Sequence, residues 1–263
     1  MPKNKVNKII VGNWKMNPRD LKEAKKWFLS IAQAVSRVKK TEIIICAPFI
    51  YLNDLKKLSR KIFLGAQDAF YGDVGPYTGE ISAEMLYNSG VRYVILGHSE
   101  RRSPPAGGGE DNNIINKKVK AALLGGLVPI LCVGESERDK DHAYFNIVKK
   151  QVEECLRGVS KNSISKVIIA YEPVWAISST PDRRDATPED SKEMAIFIRK
   201  VLSGFSTPEI AKATRIIYGG SVSEKDAREF LENGGVDGAL PGRASLDPNK
   251  FSEIIKICEA LKN

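Results

Sequence analysis

The chain has 263 residues, 42% hydrophobic and 28% charged, enough for one large globular domain with a substantial core and unlike a disordered or fibrous composition. No apolar run reaches the ~18 residues of a membrane span and the N-terminus lacks a signal-peptide pattern, so a cytoplasmic protein with no membrane partner is expected. The formal charge of +9 comes mostly from lysines interleaved with acids in helical segments, which reads as solvated faces; with no nucleic-acid-reading motif present, a small anionic substrate suits it better than nucleic acid.

In chain order, apolar β-branched runs alternate with helical patterns. "KIIVGNW" precedes a helix over 20–38, "EIIICAP" one over 50–60, "IFLGAQ" one over 81–89, and "YVILGHS" one over 113–125. "VPILCVGE" precedes 142–157, "KVIIAYEP" 188–203, "RIIYGGS" 223–233, and "VDGALPG" 248–261. The runs are continuous rather than alternating, as parallel strands covered on both faces require. Eight such units without a linker-like shift in composition predict an α/β fold, a single (β/α)8 barrel over residues 1–263. The alternative is a doubly wound open sheet, but no G-x-G-x-x-G follows the first strand.

Local signals support these boundaries. Thr187, Pro188 and Asp190 form an N-terminal helix signature, and Ser223 with Asp226 stands at capping-box spacing. Two loops are long enough to suggest function: "RRSPPAGGGEDNN" and "AISSTPDRRDA". Cys46, Cys132, Cys155 and Cys258 show no C-x-x-C pairing and read as buried reduced thiols.

In such a barrel, polar residues at the carboxyl ends of strands face the active-site mouth. The first strand leads to Asn13 and Lys15, the fourth to His98 and Glu100, and the fifth to Glu135. The sixth leads to Glu172, the seventh to Gly219–Ser221, and the eighth to Gly242. Singly, His98 reads as a structural histidine and Lys15 as a surface lysine. Glu172 is more telling, because the following Pro173 holds it extended. The N–H groups of the "YGGS" turn suit a phosphate, a feature shared by barrels of many chemistries.

Taken together, "GNWKMN", "YTGEISAEML", "ILGHSERR", "CVGE", "AYEPVWAI", "YGGSV" and "DGAL-GRASL" resemble the triosephosphate isomerase family, in order from residue 9 to 246. The resemblance implies interconversion of dihydroxyacetone phosphate and D-glyceraldehyde 3-phosphate through an enediolate, in glycolysis and gluconeogenesis. It implies Glu172 as the base and a neutral His98 as the electrophile and proton shuttle, roles for which this family is a standard example. It also implies Lys15 and Asn13 beside the developing oxyanion. Asn13, Lys15, Ser178, Ser221, Gly242 and Arg243 would hold the substrate. Glu100 would support the site, and Tyr218 would receive a closing lid. The implied partners are a phosphorylated triose and a second copy of the chain, reached by the Thr78 loop "YGDVGPYTGEIS". No organic cofactor and no metal are expected. There are only two histidines, and His142 lies in a separate polar run.

The chain departs from the family pattern at the lid. Eight residues, Ser178 to Asp185, separate Ile177 from Ala186, and none is glycine. Pro241 precedes Gly242, Arg243 stands where the family more often has glycine, and "SPPAGGG" enlarges the segment before Glu110. The alternatives are another phosphosugar barrel enzyme, or a barrel whose altered lid leaves it a binding or structural role.

Overall fold

The computed structural model describes residues 7–104, 107–177 and 184–261. Its strands are β1 (Ile9–Asn13), β2 (Glu42–Cys46), β3 (Phe63–Ala66), β4 (Tyr93–Leu96), β5 (Val128–Val133), β6 (Ile168–Tyr171), β7 (Ile216–Tyr218) and β8 (Gly238–Ala239). Each pairs in parallel with the next, and β8 returns to β1 to close a barrel.

The principal helices are α1 (Leu21–Ala34), α2 (Phe49–Leu55), α3 (Ala83–Asn88), α5 (Asn112–Leu124), α6 (Tyr144–Cys155), α8 (Pro188–Phe205), α10 (Ala227–Asn233) and α11 (Pro248–Ala260). They occupy the eight predicted places. Three short additions are α4 (Ser99–Arg102), α7 (Lys161–Ile164) and α9 (Pro208–Ala213), too short to show a helical period. Single 3-10 turns follow β6 at Val174–Ala176 and β8 at Arg243–Leu246.

The cap at Thr187 forms as expected, with Pro188 in the first turn and a reciprocal bond to Asp190. The helix predicted from 223 starts instead at Ala227. Ser223 does pair with Asp226, donating its N–H to Oδ1 at 2.7 Å, but this closes a turn and Asp226 becomes the N-cap. The spacing that mimics a capping box is also the spacing of a hydrogen-bonded turn.

Strand residues alternate between two cores. Ile9, Val11, Ile44, Cys46, Ile95, Ile130, Cys132, Ile168 and Ala170 fill the barrel interior. Ile10, Ile43, Ile45, Val94, Leu131 and Ile169 join the layer that includes Phe28, Ile31, Val119, Val148, Ile198 and Ile255 of the helices. Each such side chain contributes roughly 1.5–3 kcal/mol on burial. Extending the interior column by one two-residue step leads from Val11 to Asn13 and from Ala170 to Glu172, at the carboxyl mouth.

Candidate active site

At the end of β1, Asn13 is buried and its Oδ1 accepts the Lys15 N–H at 3.0 Å. Lys15 has φ 51°, a left-handed conformation uncommon for a residue with a side chain. Gln67, just beyond β3, secures that turn by donating Nε2 to the carbonyls of Lys15 at 2.8 Å and Cys46 at 2.9 Å. The Lys15 ammonium reaches Glu100 Oε1 at 2.5 Å. Glu100 therefore touches the cation directly.

After β4, Gly97 has φ 69°, which glycine adopts readily. His98 then caps α4, its Nδ1 accepting the Glu100 N–H at 3.2 Å. Acceptance at Nδ1 leaves the ring proton of the neutral imidazole on Nε2. Nε2 lies 3.4 Å from Glu172 Oε1, while Glu172 Oε2 accepts the Ser99 N–H at 3.0 Å. Glu172 is 2% exposed, and its Oε1 faces the His98 ring. A carboxylate buried against an imidazole, with no arginine or lysine on it among the described residues, is a costly arrangement for stability alone. Beneath it lies the Cys132 thiol, pushed up by burial and by the Glu172 carboxylate, which keeps it protonated.

Gly219, Gly220, Ser221, Gly242 and Arg243 line one small cavity with Asn13, Lys15, His98 and Ile177. Tyr218 is buried behind this turn and stacks on Phe230 at 4.3 Å. Most of the residues expected at the site therefore converge. Ser178 lies outside the described residues.

Some contributors escaped the sequence reading. Gln67 was signalled by its place after a strand, but no motif marked it. Glu135 was visible as a strand-end acid without a role. It is fully buried and its Oε1 accepts from Tyr171 OH and Trp175 Nε1, both at 2.8 Å. Arg138 was missed. It bonds Glu135 Oε1 at 3.2 Å and Asp190 Oδ1 at 2.7 Å, and so links the segment after Glu172 to the start of α8. Glu110, at the end of the enlarged segment, meets Arg101 and Lys118, and Asp68 completes the cluster. Burial raises the Asp68 carboxyl against the opposing pull of Lys118.

Comparison with known proteins gives a consistent result. A family profile described as "Triosephosphate isomerase" matches residues 8–258. A triosephosphate isomerase of Dictyoglomus thermophilum is 42% identical over 252 residues, covering 95% of this chain and 98% of that protein. The crystal structure of triosephosphate isomerase from Bartonella henselae superposes with a TM-score of 0.83 at 36% identity, covering 96% of this chain and 99% of the other.

Proposed function

The chain belongs to the triosephosphate isomerase family, and on that premise we propose which of its residues move the protons. It interconverts dihydroxyacetone phosphate and D-glyceraldehyde 3-phosphate, an intramolecular oxidoreduction between neighbouring carbons.

Glu172 removes a proton from C1 of dihydroxyacetone phosphate and returns it at C2. His98, with its proton on Nε2, donates to the carbonyl oxygen as charge develops and shuttles the proton between the two oxygens of the enediolate. Lys15, held beside Asn13, supplies positive charge to the oxyanion and the phosphate. The N–H groups of Ser221 and Gly242 grip the phosphate, with the Arg243 guanidinium at the rim of the same cavity. Base, electrophile and cation all come from side chains, so this chemistry calls for no metal or organic cofactor. Glu135 and Arg138 hold Trp175, three residues beyond the base, and so anchor the first arm of a lid that keeps water from the enediolate.

The observation that carries this assignment is the Glu172 carboxylate, 2% exposed, facing His98 Nε2 at 3.4 Å through Oε1. Glu172→Gln tests it in a coupled assay for glyceraldehyde 3-phosphate. We expect kcat to fall by about 10²–10⁴-fold, the range for a lost general base, with binding of a substrate analogue retained. A variant keeping more than about a tenth of the rate would exclude Glu172 as the base.

Two further parts of the proposal concern assembly and location. The exposed loop 71–80 closes at its base, where Phe70 N–H bonds the Ile81 carbonyl at 2.8 Å, and Phe70 packs on Tyr77. Such a projecting loop, rich in apolar residues, fits insertion into a second copy of the chain. The four cysteines are free and buried, which suits the reducing cytoplasm. Among the described residues, no helix is long and apolar enough to cross a membrane.

A further inference from the structure

Arg184 lies where the chain returns toward α8, and the proton transfers above give it no task. Its N–H donates to the Trp175 carbonyl at 3.3 Å. Its guanidinium carbon lies 4.3 Å from the centroid of the Trp175 ring. The indole is held elsewhere too, by Glu135 on Nε1 at 2.8 Å and by Arg138 at 5.4 Å from the ring. Trp175 is 8% exposed, whereas Arg184 is on the surface.

Two residues nine positions apart are thus joined by a main-chain bond and by a cation over an aromatic face. The tie therefore joins the segment that follows Glu172 to the segment that precedes α8. No glycine lies between the two residues in the sequence.

We propose that Arg184 is a positioning residue for the isomerisation, a clasp that pins the returning arm of the lid to its hinge tryptophan. The proposal rests on the assignment of Glu172 as the base and of the following segment as the lid. Movement of Trp175 reaches Glu172 through Val174 and Pro173, whose ring restricts φ. The tie makes the two segments it joins, 172–177 and 184–187, move together. Arginine suits the task because its planar face covers the indole while its edge stays in water, so the contact forms and breaks at small cost. Stacked in this way, the guanidinium holds the hinge rather than the substrate phosphate.

Arg184→Ala and Arg184→Lys test the clasp. The measurements are kcat, KM, methylglyoxal released per turnover, Tm, and the Trp175 indole N–H resonance, assigned by its absence in Trp175→Phe. We expect Arg184→Ala to lower kcat about two- to fivefold, the effect of losing one exposed cation–π contact. Methylglyoxal per turnover should rise and the Trp175 resonance should move, while KM stays within about twofold and Tm is unchanged. Arg184→Lys should recover part of the rate, since it keeps a cation without the planar stack. Unchanged kcat and methylglyoxal would overturn the proposal, as would a loss of Tm alone. A rise in KM at constant kcat would also overturn it, by showing direct contact with the phosphate. Inactivity of the unaltered chain would sink the underlying assignment of roles instead, and the indole resonance would still report whether the clasp exists.

Discussion

A Cβ on Gly219 would lie 2.8 Å from Cγ of Glu172. The atom in the way belongs to a side chain able to rotate, so the fold can absorb the methyl group and the carboxylate is what moves. Gly219→Ala is therefore expected to separate stability from activity. Overpacking of this kind costs about 1–3 kcal/mol, and if that energy is spent on rotating the base, kcat falls at least about fivefold. Tm should change by only a few degrees. A variant with full activity would show that the base tolerates displacement, against the geometry assigned to it. Gly220 is constrained in a similar way from behind, because a Cβ there would overlap the Tyr218 hydroxyl.

Elements are tied to one another by single carboxylates. Glu259, in the last turn of α11, accepts the N–H groups of Lys39, Lys40 and Thr41 at 2.8–3.1 Å, and the Thr41 hydroxyl at 2.9 Å, just before β2. Burial pushes its carboxyl up, but the bonds from Lys39, Thr41 and Lys40 outweigh that and hold it below its usual value. A group with a lowered folded pKa contributes stability above its unfolded pKa and loses it as pH falls through the folded one. Glu259→Gln should therefore reduce stability at neutral pH by about 1 kcal/mol, somewhat below the usual ~1.5–3 kcal/mol for bonds to a charged group because the donors are near water. Tm should fall by about 2 °C, and the difference from the parent should shrink as pH falls through the folded-state pKa of Glu259, where the parent side chain becomes neutral too. A difference that persists undiminished in acid would show that packing, not charge, makes the contact. At the other end of the barrel, Asp190 serves the cap of α8 and also receives Arg138, so the end of the lid segment is anchored to the same network as its beginning.

On the scale of the whole molecule, several large apolar side chains that follow strand ends are exposed. Met16, directly after Lys15, is 94% exposed, Val74 on the projecting loop 82%, and Ile50 at the start of α2 76%. Burial of such side chains is what a partner surface would supply. If loop 71–80 of a second copy packs against the Lys15 turn, light scattering should find two chains per particle and dilution should reduce activity. A monomer of full specific activity at low concentration would overturn the dimer.

The sequence by itself determined the parts that depend on near neighbours. Continuous apolar runs marked the eight strands, and Thr187 with Pro188 and Asp190 marked the start of α8. Glu172, His98, Lys15 and Asn13 could be placed at one mouth because every strand of a parallel barrel delivers its end there, while the roles proposed for them came from the resemblance of their motifs to the family. A pattern of period and φ preference is local, so it survives in one dimension. Tertiary structure alone decided the rest. Arg138 meets Asp190 across 52 positions and Glu259 meets Thr41 across 218, and barrel closure rather than any local preference brings them together. Nothing in the sequence around Arg184 names its partner; the return of the chain places it over Trp175. The positive charge is divided in the same way. Arg37, Lys39 and Lys40 precede β2, and Lys57, Arg60 and Lys61 precede β3. They lie at the end of the barrel opposite the mouth, about two Debye lengths away at 0.1 M salt given strands of this length. Composition reports how many cations a chain carries, but only the closed barrel decides which of them a substrate can feel.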